Sequence, residues 1–155
     1  MRRYKAIIII LISYIAFSMF RLSLGVALPE IMKEFLINET LAGILYSASF
    51  YSSALLLLPA GYLADLYGRE KMLFIGYLIL TVGVFCSSIS PRYFELFVSL
   101  TLAGAGSGLL LPPYYSIVGE ALKEARGFAV GLATGFFQSW RAAWFFDYGF
   151  LYSTI

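Results

Sequence analysis

Five apolar runs, each close to the length needed to cross a lipid bilayer, constrain this chain more than any other feature. They cover residues 6–28, 41–64, 72–90, 94–118 and 127–146. A helix needs about 20 residues to cross a hydrocarbon core of about 30 Å. Lipid offers no partner for backbone N–H and C=O groups, so such runs fold as helices that satisfy those groups internally. A membrane β-barrel would show alternating segments of about ten residues, and these runs do not alternate. Composition agrees, with 61% hydrophobic and 13% charged residues, where a soluble domain carries about 45–50% and about 25%. The expectation is an all-α integral membrane protein whose partner is the lipid bilayer.

The few charges fix a topology. With the N-terminus inside, the cytoplasmic segments hold Arg2, Arg3, Lys5, Arg69, Lys71, Lys123 and Arg126, and the outer loops hold Lys33 and Arg92. Lys and Arg favour the cytoplasmic side, so the expected location is the cell membrane, multi-pass, N-terminus cytoplasmic. The basic start and apolar run at residues 1–17 resemble a secretion signal, but the run is long and no small-residue cleavage pattern follows; it reads as a retained first span. A net charge of +2 gives no reason to expect nucleic acid. With no histidine and one cysteine, Cys86, neither a metal site nor an internal disulfide is expected. No cofactor is expected, and no nucleophile, metal cluster or catalytic dyad suggests an enzyme.

Two kinds of residue stand out inside the spans. Gly104, Gly106 and Gly108 crowd the fourth run, and Gly127, Gly131 and Gly135 form consecutive GxxxG steps in the fifth. Small residues let helix backbones approach closely in lipid, so these six are helix-packing candidates. The other is Arg21, about two-thirds along the first run. A cation at the bilayer centre costs about 2.5 kcal/mol or more, unless it snorkels to the interface or faces a wet cavity. Tyr14, Ser18, Arg21 and Gly25 recur at steps of four, three and four, and so share one helix face. Guanidinium pairs with carboxylate or phosphate oxygens through two parallel hydrogen bonds. Arg21, Tyr14 and Ser18 are therefore candidate contacts for an anionic small solute, joined by Tyr46 and Ser49 of the second run. Pro29 is expected to close the first run.

Between the second and third runs lies GYLADLYGREK, residues 61–71. Its G-x-L-A-D-x-x-G-R-x-K pattern resembles the signature loop of the major facilitator superfamily, which joins spans 2 and 3. Leu66 and Glu70 depart from it, where basic residues are common. RLSLGVALPEI (21–31) resembles the end of span 1 in the family's anion:cation symporter and organophosphate antiporter branches. GILYSASFYSSALLLLPAG (43–61), GAGSGLLLP (104–112) and EARGFAVG (124–131) resemble its spans 2, 4 and 5. The likeness covers about residues 10–135.

The resemblance implies a secondary active transporter in which two six-helix halves rock around a central site, here with an organic or phosphorylated anion as solute, with or without a coupling ion. It implies a cytoplasmic latch built from Gly61, Asp65, Gly68, Arg69 and Arg126. Many members carry an Arg four residues before the first span-4 glycine, implicated in proton coupling in drug exporters; Leu100 stands there. Five visible spans make the chain an incomplete first half: a fragment or truncated product lacking its C-terminal half. WRAAWFF (140–146) resembles the start of a sixth span, yet follows Arg126 by only 14 residues. The competing readings are a small oligomeric membrane protein or inactive remnant, and a proton-coupled drug or metabolite exporter.

Overall fold

The computed structural model describes the backbone of residues 2–121 and the side chains of residues 17–117. Four helices fill this range: α1 (Arg2–Phe35), α2 (Glu39–Tyr67), α3 (Arg69–Ser88) and α4 (Tyr93–Ala121). No strand occurs among the described residues. In α2, α3 and residues Tyr93–Ile117 of α4, length and apolarity suffice to cross a membrane; the protein is all-α and multi-pass. The run 127–146, and with it Gly127, Gly131 and Gly135, lies outside the described residues, as does Arg126. Ser23–Ile117 forms one compact unit, and Met1–Leu22 with Val118–Ile155 the other.

The helix ends follow from local chemistry. Pro29 does not close α1, which runs on to Phe35. Proline removes one N–H, leaving the Gly25 carbonyl without its intrahelical donor, but its fixed φ suits a helix. The residues after it extend the helix as an amphipathic tail: Ile31, Met32 and Phe35 are half-buried while Glu30, Lys33 and Glu34 are exposed. Lys33 Nζ bridges Glu30 Oε1 at 2.9 Å. The helix then stops at Leu36, whose φ is +51°, while the Ile37 N–H reaches back to the Met32 carbonyl at 3.2 Å. This is the six-to-one bond of a Schellman ending. Asn38 opens α2, its Oδ1 accepting the Leu41 N–H at 2.9 Å, as a good N-cap does.

One residue, Gly68, separates α2 from α3. Its φ of +93° is a conformation glycine adopts at little cost, and its N–H still bonds the Ala64 carbonyl at 3.1 Å. At the far end of α3, the hydroxyls of Ser87, Ser88 and Ser90 donate to the carbonyls of Val84, Phe85 and Cys86 at 2.7, 2.8 and 2.7 Å. Those carbonyls lie in the last turns of the helix, where partners run out.

Within Ser23–Ile117, α4 is the middle helix. Of its apolar window 56% is buried, against 22% each for α2 and α3. Its small residues divide between two neighbours. A Cβ on Gly104 or Gly108 would collide with the α2 backbone at Ser49 or Ser53 respectively. A Cβ on Gly106 would fall 2.5 Å from the Leu80 nitrogen of α3, and one on Gly83 of α3 would fall 2.5 Å from the Ala103 nitrogen. Hydroxyls bind the α2–α4 side. Ser52 Oγ donates to the Thr101 carbonyl at 2.8 Å, and the Ser53 and Ser107 hydroxyls pair at 3.0 Å. Near the N-terminal ends of α2 and α4, Tyr93 Oη donates to the Leu41 carbonyl at 3.0 Å.

Candidate functional site

Two places carry the polar chemistry: the α2–α3 turn and the middle of α1. The turn is seated on a small apolar cluster of Ala60, Ala64, Met72 and Leu109, flanked by Leu56, Leu63 and Ile79. These residues come from three helices, so the hairpin is held to α4 as well as to itself. Outside the cluster, Asp65, Leu66, Tyr67, Gly68, Glu70 and Lys71 are exposed and Arg69 is half-buried. A Cβ on Gly61 would sit 4.0 Å from Pro112 Cβ, an ordinary contact, so α4 alone does not require glycine there. Gly68 is different, because its backbone conformation does.

Two charges in this turn, Asp65 and Arg69, are not placed for helix stability, whereas Glu70 in the first turn of α3 is. Asp65 lies in the last turn of α2 and Arg69 opens α3. The partial charge of a helix is negative at its C-terminus and positive at its N-terminus, so each side chain meets its own sign.

The α1 residues of the anion-site prediction lie on one helix, as the spacing requires. Tyr14 lies on α1 with its side chain outside the described residues. Ser18 is 3% exposed, and its Oγ has no hydrogen-bond partner among the described residues. A buried unmet hydroxyl costs about 1–3 kcal/mol. Arg21 is half-buried, with its guanidinium carbon 5.8 Å from the centre of the Phe17 ring. Phe17, only 4% exposed, was not singled out from sequence; the signal available was an aromatic four residues before a cation on one helix.

Of the α2 candidates, Tyr46 is half-buried and stacks at a tilt on Phe50, ring centres 4.8 Å apart. A Cβ on Gly25 would lie 3.8 Å from Tyr46 Cε2 and 3.9 Å from its hydroxyl. Ser49 is buried in the seam where its carbonyl backs onto Gly104. Sequence reasoning passed over Ser52, Thr101 and Ser107 because a serine in an apolar run looks the same whether it faces a cavity or a neighbouring helix.

The multidrug resistance protein Stp of Mycobacterium tuberculosis (strain CDC 1551 / Oshkosh) is 30% identical over 107 residues, which are 68% of this chain and 20% of that protein. Probable anion transporter 6, chloroplastic, of Arabidopsis thaliana is 27% identical over 124 residues, 80% of this chain and 22% of that protein. The probable sulfoacetate transporter SauU of Cupriavidus necator is 29% identical over 122 residues, 75% of this chain and 27% of that protein. The chain thus spans about a fifth to a quarter of the length of these curated relatives. No solved structure matches it significantly. Residues 7–139 match the family model of the Major Facilitator Superfamily, and the chain belongs to that transporter family.

Proposed function

We propose that the chain supplies membrane spans of a secondary transporter in the cell membrane that carries a small organic or phosphorylated anion by alternating access. The observation that carries this reading is Arg21: a permanent cation within α1, half-buried, on the helix face that also holds Ser18 and Tyr14. Its forked N–H groups suit the paired oxygens of a carboxylate, sulfonate or phosphate. The buried Ser18 hydroxyl one turn away adds a donor for the same anion. Two relatives named for anion and sulfoacetate transport support the solute class.

In this mechanism the anion neutralises Arg21 while bound and leaves when the two halves rock to open the other side. Asp65 and Arg69 contribute to a cytoplasmic latch that holds one of the two states. Tyr46 and Ser49 are further solute contacts, each tested by its own substitution, Tyr46→Phe and Ser49→Ala.

The test is counterflow of labelled organic anions in proteoliposomes, with the parent protein, Arg21→Lys and Arg21→Ala. The expected result is exchange of at least one anion by the parent. Arg21→Lys should raise KM about tenfold or more, because lysine offers no planar fork, and Arg21→Ala should abolish exchange. Unchanged exchange of every anion by both variants overturns the reading. A second reading, export of drugs or metabolites driven by protons, is favoured by the multidrug resistance relative. It requires a proton gradient to drive transport of an uncharged or cationic compound, and the same vesicles with an imposed pH difference test it.

A further inference from the structure

We propose that the Gly25 carbonyl of α1 and the Tyr46 hydroxyl of α2 form a binding position for a hydroxyl group on the solute, which makes the solute a hydroxylated organic anion. The inference rests on the reading of the chain as part of an anion transporter.

A backbone acceptor in a membrane span needs a partner from protein, water or ligand, because lipid supplies none. Pro29 has no N–H, so the Gly25 carbonyl lacks the donor that an α-helix places four residues on. The helical pattern assigns the preceding N–H, that of Leu28, to the Leu24 carbonyl. Gly25 has no side chain to cover this stretch of backbone, and it is exposed. Tyr46 stands beside it. A Cβ on Gly25 would lie 3.8 Å from Tyr46 Cε2 and 3.9 Å from its hydroxyl. Those are ordinary contacts, so packing against Tyr46 does not require glycine here. The Tyr46 ring is held against Phe50, ring centres 4.8 Å apart, which keeps its hydroxyl close to the uncovered backbone. A carbonyl only accepts hydrogen bonds, whereas a phenolic hydroxyl donates and accepts. A solute hydroxyl complements the pair by donating to the Gly25 carbonyl and accepting from Tyr46. An ammonium group donates but has nothing to accept with, and a methylene does neither. A site built for a hydroxyl rejects the analogue that lacks it, because its own polar groups are then left unpaired.

The test is competition in the counterflow assay between acids that differ by a single hydroxyl: lactate and propionate, malate and succinate, 2-hydroxyethanesulfonate and ethanesulfonate. In the parent protein at least one hydroxylated acid should compete with a Ki about tenfold or more below that of its deoxy partner, the scale of two hydrogen bonds. Pro29→Ala returns an N–H to α1 opposite the Gly25 carbonyl, which is then satisfied from within the helix. This variant should lower the preference severalfold by weakening the hydroxylated acid, while the Ki of the deoxy acid stays within about twofold of the parent value. Tyr46→Phe should lower the preference in the same way, and the two changes together should abolish it. An unchanged Ki for the deoxy acid shows that a variant is folded and inserted, so a lost preference is not a folding defect. A parent without preference in any pair overturns the proposal and leaves the anion reading standing. So does a preference that survives both substitutions, or a Pro29→Ala protein in which both acids of a pair weaken equally. A parent on which no acid competes removes the anion reading and this inference with it.

Discussion

Leu36 is a non-glycine residue with a left-handed backbone, φ +51°, and a side chain 92% exposed. The left-handed region costs a residue with a Cβ about 1–2 kcal/mol, and so exposed a side chain contributes little packing in return. Leu36→Gly should therefore raise the stability of the detergent-solubilised protein by up to about 1 kcal/mol, read as a higher midpoint in a thermal unfolding curve. At Gly68 the same reasoning runs the other way. A Cβ there would find open space, yet φ is +93°, so Gly68→Ala should destabilise by about 1 kcal/mol or more through backbone strain alone. The pair separates conformation from packing, since neither site has neighbours to crowd. Gly68 was legible as a turn residue because it stands alone between two apolar runs. Leu36 was not, because a leucine beside an apolar run looks like the run's continuation. Phe17 was illegible for a related reason: aromatics are common in these spans, and only its distance to Arg21 distinguishes it.

At the scale of the helices, α4 makes two unlike seams. Toward α3 it meets Gly76, Leu80 and Gly83 with Ala103, Gly106 and Leu110, with no hydroxyl in that set. Toward α2 it meets serine backbone with Gly104 and Gly108, and adds the Ser52–Thr101 and Ser53–Ser107 bonds. Gly104→Ala should cost about 1–3 kcal/mol, the range for overpacking a tight contact. Gly43→Ala in α2, where a Cβ would meet nothing within 4 Å, should be neutral or slightly stabilising, since alanine is the better helix former. Ser52→Ala should cost about 0.6 kcal/mol, the mean for hydrogen bonds between membrane helices. If Gly104→Ala and Gly43→Ala shift the unfolding midpoint equally, the seam is not as tight as the geometry says. The apolar runs and their polar breaks announce the helices, because lipid permits little else. Which face of α4 meets which neighbour depends on its rotation about its own axis, and a cluster of three glycines two residues apart points several ways at once. Pro29 shows a different limit. Read as a stop, it lies within α1, because whether a proline ends a helix depends on the residues after it and on what surrounds the freed carbonyl.

For the molecule as a whole, two proposed tasks meet at the turn at Gly68 that charge alone does not separate: fixing topology and latching a state. The positive-inside rule predicts Arg69 and Lys71 on the cytoplasmic side and the α1–α2 and α3–α4 connections outside. Single cysteines in a Cys86→Ser background give a direct reading. Glu70→Cys, Glu39→Cys and Ile89→Cys all sit at exposed positions near helix ends. On intact cells a membrane-impermeant maleimide should label the cysteines at positions 39 and 89 and spare the one at position 70, which should react only after the membrane is opened. The reverse pattern would invert the topology and move the turn away from any cytoplasmic latch. The latch then has its own test, which topology does not touch. Asp65 sits at a helix end that disfavours its charge, so Asp65→Asn should leave stability unchanged or raise it by a few tenths of a kcal/mol. If the carboxylate holds one of the two transport states, the same substitution should slow exchange severalfold and shift labelling of cavity-facing cysteines between the two sides. A variant that is as stable as the parent, correctly inserted and equally fast would leave Asp65 with a topological role only. Loss of stability together with loss of transport would contradict the electrostatic account of the turn.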